Sequence, residues 1–427
     1  MNNFYNINLK RIKLNKLKIS VVGLGYVGLN LLIHFSKTKN QIYGIDNDIK
    51  KISFIKKGKS YINYISDNDI KKIKKNSFFS NNYNSIKSSD VVIFCLPTPL
   101  KNNRPDLSYL KEACDESKNK IRKGQILILE STSYPGTTED FLYKNLNLKR
   151  FKLGKNFFLG FSPEREDPGN KKFSLTKIPK VVSGYTKECL NLVEQIYKII
   201  IPRVIKSNSI KVAETAKLLE NVYRAVNVTL VNEIKKITNK LDIDIYDVIN
   251  IAKTKPFGFQ PFYPGPGLGG HCLPIDPIYL SYAAKKLGVK AKFIELTKEV
   301  NSKIPLEISS IILKKIKKNK SKILILGVTY KPNVDDIRES AALKLIELLS
   351  KQKKYKISFS DPFINRLSVG KKKLYSVKLS KKVLNSFDCV VLITDHSKFN
   401  YNLIKKNSKI LLDSRGRFEV SNNIIRI

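Results

Sequence analysis

Leu17-Lys18-Ile19-Ser20-Val21-Val22-Gly23-Leu24-Gly25-Tyr26-Val27-Gly28-Leu29 is the stretch on which the reading of the fold turns. Residues 17–22 are a short apolar run with β-branched side chains, which breaks at once into a Gly23-x-Gly25-x-x-Gly28 string. A helical pattern follows over 29–37, and 41–45 reads as the next strand, ending at Asp46. Alone, such a glycine string is weak. Between a strand and a helix, with an acid about twenty residues on, it is a dinucleotide fingerprint. Gly23 permits the tight turn, Gly25 lets a pyrophosphate approach the backbone, and Gly28 allows close helix–strand packing. The helix start at Tyr26 and Val27 offers free N–H groups and a partial positive charge to phosphates. Asp46 is suited to the ribose hydroxyls and repels a 2′-phosphate, so NAD is expected rather than NADP.

Working outward, 90–96 and 125–130 are further buried-strand candidates separated by helix-compatible segments. Alternating strands and helices predict a parallel sheet covered on both faces. Two strand ends should face the cofactor crevice: Leu96-Pro97-Thr98-Pro99 and Glu130-Ser131-Thr132-Ser133-Tyr134-Pro135-Gly136-Thr137. Thr98 and Thr132 either serve cofactor or substrate with their hydroxyls or cap the strands as turn residues. Residues 209–240 read as one long helix, 243–253 as a second and 278–302 as a third, around a Pro/Gly-crowded loop at 256–277. A new α/β unit starts at 321, with strands at 322–326, 355–360, 389–394 and 409–412 and a helix at 340–350, but without a full dinucleotide fingerprint.

The reacting centre is sought in Pro264-Gly265-Pro266-Gly267-Leu268-Gly269-Gly270-His271-Cys272-Leu273-Pro274-Ile275-Asp276-Pro277. A thiol behind a Gly-rich loop, at the expected start of a helix, meets backbone N–H groups that favour the thiolate. Asp276 would share a helical face with it, as a base for water. By itself the thiol also reads as a packing residue, as the other four cysteines do. On the long helix Lys217 and Asn221 stand at i and i+4 and project together, with Arg224 a turn further. Both can donate to a developing oxyanion, although lysines are so frequent here that the pair also arises by chance. Phe161-Ser162-Pro163-Glu164-Arg165-Glu166-Asp167-Pro168-Gly169-Asn170 reads as a binding loop or a solvated charged turn.

The chain has 427 residues, enough for two or three domains. Its formal net charge of +43 comes nearly all from lysine spread over the whole length, with abundant Asn and Ile. A nucleic-acid binder concentrates its basic residues, often as Arg. Codon bias explains this spread, so no nucleic-acid partner is expected. A positive field still gathers anionic substrates. No run reaches the roughly 18 apolar residues of a membrane span, and 1–18 lacks a signal peptide's apolar stretch. A cytoplasmic protein without a membrane partner is expected. Five cysteines without a CxxC pair argue against disulfides and a zinc site, and no metal is expected.

Taken together these residues resemble the UDP-glucose/GDP-mannose dehydrogenase family. The resemblance is carried by GLGYVGL at 23–29, PTP at 97–99, STSYPGT at 131–137, SPE at 162–164, AKLLEN at 216–221, GLGGHCLPID at 267–276 and GVTYKPNVDDIRES at 327–340. It implies an α/β chain of two Rossmann-like doubly wound domains joined by a long central helix and a helical dimerisation region. The corresponding divisions are an N-terminal extension at 1–15, an NAD-binding domain at 16–203, a central region at 204–305 and a UDP-binding domain at 320–427. It further implies a homodimer, NAD as cofactor and a UDP-sugar as substrate, oxidised at C6 to the acid with two NAD reduced. Lys217 and Asn221 would polarise the oxyanion, Cys272 would attack the aldehyde, and Asp276, Thr132 or Glu164 would orient the hydrolytic water. Glu164, Arg165, Tyr263, Gly267 and Gly269 would line the sugar site, and Lys331 and Arg338 would pair the phosphates.

Within the family the UDP-N-acetylglucosamine 6-dehydrogenase branch is most similar, through SPEREDPGN and the segment 255–267. Pro168 stands where the UDP-glucose branch has a second Glu, and Ile275 where it has Lys. The arginine that branch donates across its dimer has no match, although Lys255 is placed to serve. UDP-glucose and UDP-N-acetylgalactosamine remain alternative substrates. A 3-hydroxy acid dehydrogenase, which would not need Cys272, and a non-catalytic NAD-binding regulator are the competing readings.

Overall fold

A computed structural model of the chain describes residues 3–74, 76–167, 175–316, 320–352, 354–370 and 372–427. Pro168, Gly169 and Asn170 of the charged loop lie outside the described residues. The chain divides into two compact units, 1–220 with 278–289 and 221–277 with 290–427.

Among the described residues of the first unit ten strands are laid down in chain order: β1 Lys18–Val22, β2 Gln41–Ile45, β3 Ser77–Ser80, β4 Val91–Phe94, β5 Leu100–Lys101, β6 Arg104–Pro105, β7 Ile126–Leu129, β8 Phe158–Phe161, β9 Lys180–Gly184 and β10 Val204–Lys206. β5 and β6 form a small hairpin. The other eight form one sheet in the order β10-β9-β8-β7-β4-β1-β2-β3. All its pairings are parallel except β8 with β9. β4, β7 and β8 are buried at every position, as strands covered on both faces must be. The first six strands of this sheet run 3-2-1-4-5-6 in chain order, the dinucleotide-binding arrangement, and place the crevice where β1 and β4 diverge.

The second unit contains β11 Ser321–Leu326, β12 Tyr355–Ser360, β13 Arg366–Val369, β14 Lys372–Tyr375, β15 Cys389–Leu392, β16 Leu411–Asp413 and β17 Ile424–Arg426. Its parallel sheet has the order β12-β11-β15-β16-β17, beside a β13–β14 hairpin. Alternation along the strands supplies two cores. Ile323, Ile325 and Val391 face one way with Ile304, Ile308 and Ile312 of the helix Lys292–Lys315. Leu324, Leu326, Val390 and Leu392 face the other, with Phe387 and Phe399.

Two helix expectations are corrected. The segment 278–302 is not one helix: Asp276–Lys286 ends before Gly288, whose φ of +76° breaks the run, and Lys292–Lys315 starts anew. Cys272 does not begin a helix; it precedes one by a turn, its carbonyl accepting from the amide of Asp276 at 2.9 Å. The residues read as an N-terminal extension form the helix Phe4–Lys13, capped by Asn3. Its Asn8 donates to the Gly124 carbonyl at 2.9 Å, Arg11 pairs with Asp90, and Ile12 joins the core. These partners precede β7 and β4, so the helix covers the sheet's N-terminal edge, opposite the crevice. Among the described residues no helix is long and apolar enough to cross a membrane, and no cluster of three or more His, Cys, Asp or Glu could hold a metal ion.

Candidate active site

The glycine turn of the first unit is sterically specified. Gly23 has φ +92°, and a Cβ there would lie 2.3 Å from the Cys95 carbonyl oxygen. A Cβ on Gly28 would meet the Gly23 oxygen at 1.9 Å. One on Gly25 would meet nothing within 4 Å, so there the backbone is open to a ligand. Tyr26 and Val27, half-buried, open the helix Tyr26–Ser36. This cradle and helix end fit a pyrophosphate. Asp46, buried at the end of β2, accepts from the Leu24 amide at 2.8 Å and the Asp48 amide at 2.9 Å, and pairs with Lys51 at 2.9 Å. The Thr98 hydroxyl donates to the Thr132 carbonyl at 2.7 Å. It therefore ties the two strand ends together, the capping alternative of its two readings. Thr132 itself is half-buried beside it.

Two acids that carried no signal in the sequence hold these loops. Glu214, fully buried on the helix Ile210–Lys240, accepts from the amides of Gly136 at 2.6 Å and Thr138 at 3.0 Å and from the Thr138 hydroxyl at 2.7 Å. Burial pushes its carboxyl up to about 7. One turn further along the same helix is Lys217, 8% exposed, with no hydrogen-bond or ion-pair partner among the described residues. Glu130, at the end of β7, meets the ammonium of Lys180 at 2.9 Å; that ammonium also reaches Glu164 at 3.1 Å. Glu164 in turn accepts from the amides of Arg165 and Glu166, both at 2.7 Å. Arg165 pairs with Glu220 at 2.7 Å and donates to the Pro179 carbonyl at 2.9 Å.

In the second unit the Gly-rich loop rests on the segment after β11. The Gly270 amide donates to the Arg338 carbonyl at 3.0 Å, and a Cβ on Gly270 (φ +84°) would run into the Tyr330 ring at 2.8 Å. Gly269 is as tight against Tyr330, 2.9 Å, whereas Gly267 (φ +121°) has its nearest neighbour at 3.6 Å. Tyr263 stacks on Tyr246 with centroids 6.3 Å apart. Of the five cysteines only Cys272 is exposed. Its neighbour His271 is pushed down to about 4, by burial first and then by Arg338. Asp276 accepts from the Asn221 amide at 2.5 Å, and Arg224 donates to the Asn221 oxygen. Asn221 is thus already engaged, through one of its two amide hydrogens. Arg338 pairs with Asp336 at 2.6 Å, and the Lys331 ammonium lies 5.8 Å from the Tyr330 ring centroid.

Thr98, Thr132, Glu164, Arg165 and Lys217 thus fall in the first unit, with Thr98 bonded to Thr132 and Arg165 bonded to Glu164 and Glu220. Asn221, Cys272, Asp276, Lys331 and Arg338 fall in the second, with Asn221 and Cys272 both bonded to Asp276. A dinucleotide cradle on a doubly wound sheet, with an exposed thiol and a second nucleotide-type sheet, defines a nucleotide-dependent dehydrogenase. The NAD binding domain of the UDP-glucose/GDP-mannose dehydrogenase family matches residues 17–201, its central domain 211–303 and its UDP binding domain 324–419, and the chain belongs to that family. It is an NAD-dependent oxidoreductase of the kind acting on nucleotide sugars, with NAD as cofactor.

Among its relatives, a protein named CapL from Staphylococcus aureus is 34% identical, covering 93% of this chain and 95% of that one. A UDP-N-acetyl-D-glucosamine 6-dehydrogenase from Salmonella typhi is 33% identical, over 90% and 91%. The solved structure of a UDP-D-ManNAc dehydrogenase from Pyrococcus horikoshii superposes with a TM-score of 0.85 at 30% identity, covering 96% of this chain and 99% of that one.

Proposed function

We propose that the chain oxidises the C6 hydroxyl of a UDP-N-acetylhexosamine, UDP-N-acetylglucosamine first among them, to the uronic acid through a thioester on Cys272. The observation that carries this reading is the single exposed thiol, one backbone turn ahead of the buried Asn221–Asp276 pair. NAD, when bound, accepts a hydride from C6 in each of two oxidations. Lys217 and the second amide hydrogen of Asn221 stabilise the oxygen as its proton passes to solvent and the aldehyde forms. The Cys272 thiolate then adds to the aldehyde carbon, and the resulting alkoxide meets the same two donors. Loss of the second hydride leaves the thioester. Water adds to its carbonyl, the carbon–sulfur bond breaks with its electrons on sulfur, and Glu164 takes the water's proton. Thr132 and Asp276 order that water. One alcohol, two NAD and one water thus give one carboxylate, two NADH and three protons.

Glu164 is held in the charged form that a proton acceptor needs. Burial works against its charge, but Lys180 and then the Glu166 and Arg165 amides outweigh burial and hold its carboxyl below the usual range. We take 16–203 as the cofactor domain, 204–305 as the central region and 320–427 as the nucleotide domain, with Lys331 and Arg338 toward the phosphates. Leu219, Tyr223, Leu230 and Ile237 are exposed along the long helix, which supports a homodimer through that helix. A reduced thiol and NAD chemistry suit the cytoplasm.

The deciding experiment titrates purified protein and NAD against UDP-sugars, counting NADH per sugar consumed. Two NADH per UDP-N-acetylhexosamine are expected, and Cys272→Ser should lose the second. A stoichiometry of one, or an undisturbed Cys272→Ser, would overturn the reading. UDP-N-acetylmannosamine is the second reading, favoured by the likeness to the Pyrococcus horikoshii structure; the same assay separates the epimers by kcat/KM.

A further inference from the structure

Residues 130, 164, 166, 180 and 197 form a buried ionic group whose composition is poorly explained by stability alone. Lys180 opens β9 and is 3% exposed; Glu130 is 1% exposed. One ammonium faces two carboxylates, and the Tyr197 hydroxyl donates to the second oxygen of Glu130. Glu166, two residues past Glu164, accepts from Asn30 of the cofactor helix at 2.6 Å. Replacing a buried ion pair with apolar side chains is often neutral or stabilising. A buried cluster with more acids than bases calls for another reason to exist.

We propose that Lys180 is a positioning residue for thioester hydrolysis: its buried ammonium, braced by Glu130, holds the Glu164 carboxylate charged and fixed where it meets water. This rests on the reading of Glu164 as the group that takes the water's proton. Bracing comes from three separate elements, β7 through Glu130, β9 through Lys180 and the helix Lys187–Lys198 through Tyr197. A carboxylate on a loop thereby acquires the fixity of the sheet, which a base needs. Among the described residues, the other titratable and charged groups that act on or pair beside Glu164 are Glu166 and Arg165 on its own loop, His34 on the cofactor helix and Cys95 after β4. Burial and then the Glu164 charge push Glu166 up, so Glu166 is the acid that takes up a proton first. Arg165 is already spent on Glu220 and the Pro179 carbonyl. Lys180 is the cation that keeps the proton off Glu164.

The test uses the full-length enzyme with NAD and UDP-N-acetylhexosamine, reading kcat against pH and the acyl-enzyme by intact mass and hydroxylamine trapping. Lys180→Met should let both oxidations run once, accumulate the Cys272 thioester and lower kcat about 10²-fold. The acid limb of its kcat profile should move to higher pH, with little change in KM for either substrate. Lys180→Arg should restore the limb. Glu130→Gln, which removes a competing anion, should move the limb the other way, to lower pH. A merely structural Lys180 would lower folded yield and leave the limb in place. An unmoved limb without acyl-enzyme in Lys180→Met overturns the inference. If that variant does not fold, an unmoved limb in Glu130→Gln does so instead. Glu164→Gln separates the two levels. If it accumulates no thioester, the assignment of the base has failed; if it does and Lys180→Met does not, only the inference about Lys180 has failed.

Discussion

The two sheets of the molecule begin with the same turn and put it to different uses. After β1 comes Gly23 (φ +92°), after β11 Gly327 (φ +76°). The Gly23 amide donates to the Ile45 carbonyl at 2.8 Å, the Gly327 amide to that of Ser360 at 2.9 Å. The next amide reaches an acid at the end of the neighbouring strand, Leu24 to Asp46 at 2.8 Å and Val328 to Asp361 at 2.7 Å. A Cβ would strike the Cys95 oxygen at 2.3 Å in one unit and the Thr394 oxygen at 2.2 Å in the other. Beyond that point they diverge. The first unit starts a helix at Tyr26 and leaves Gly25 open; the second delays its helix to Ala341 and runs the basic loop with Lys331 and Arg338 in between. Asp46 has Lys51 beside it, about one-third exposed, whereas Asp361 is shut under the buried ring of His396 at 3.0 Å. The shared geometry stabilises a strand–turn junction. The acid at the neighbouring strand's end stays near solvent in the first unit and is internal cement in the second.

The largest effects test the shared part. Gly23→Ala and Gly327→Ala should each lower stability by about 2–4 kcal/mol, from backbone strain and collision with a carbonyl. Denaturant unfolding measures this, and a Gly327→Ala loss under about 0.5 kcal/mol would break the equivalence. The acids come next. Asp361→Asn leaves one acceptor oxygen where there were two, so either Val328 and His396 or the amides of Phe363 and Ile364 lose their acceptor, and should cost about 2–3 kcal/mol. Asp46→Asn should cost less stability, since its ion pair reaches solvent, but weaken NAD binding and relax exclusion of NADP. Equal stability losses in the two variants would show that Asp46 too is cement. Gly25→Ala sharpens the contrast: its Cβ meets nothing, so Tm should hold while the Kd for NAD rises about tenfold, roughly 1.4 kcal/mol.

Legibility in the chain tracks the range of each interaction. The fingerprint 23–28 with Asp46, the apolar strands β1, β2, β4, β7 and β8 of the first sheet, β11, β12, β15 and β16 of the second, and the long helix are legible because turn, period and spacing are local. Lys180 was not, being one of 79 basic residues and meeting Glu130 across 50 positions of chain. Glu214 looked like any helical acid until Gly136 and Thr138 folded onto it. The antiparallel β9 was hidden because β8 pairs with it at only two positions. The helix Phe4–Lys13 was missed because its Asn- and Lys-rich sequence has little apolar face; its place is set by Asp90 and Gly124. At the site, Cys272, Asp276, Lys217 and Asn221 were singled out by residue type in unusual context, but not the Asn221–Asp276 bond.

The smallest expected effect concerns acid, where the two units should behave alike. His34 in the first and His271 in the second are each pushed down to about 4, by burial foremost, then by Lys37 and Arg338 respectively. A base whose folded pKa is depressed binds its proton more readily when unfolded. The folded state is therefore unpenalised above pH 6.5 and loses stability as the pH falls toward 4. Each histidine contributes at most one proton to the slope of unfolding free energy against pH in that window. Denaturant unfolding at several pH values should give a shallower slope for His34→Gln and for His271→Gln, each by at most one proton. An unchanged slope in His271→Gln alone would mean that the loop beside Cys272 admits water freely. The thiol would then sit in a wetter setting than the turn of the first unit, and the likeness between the units would stop at their strands.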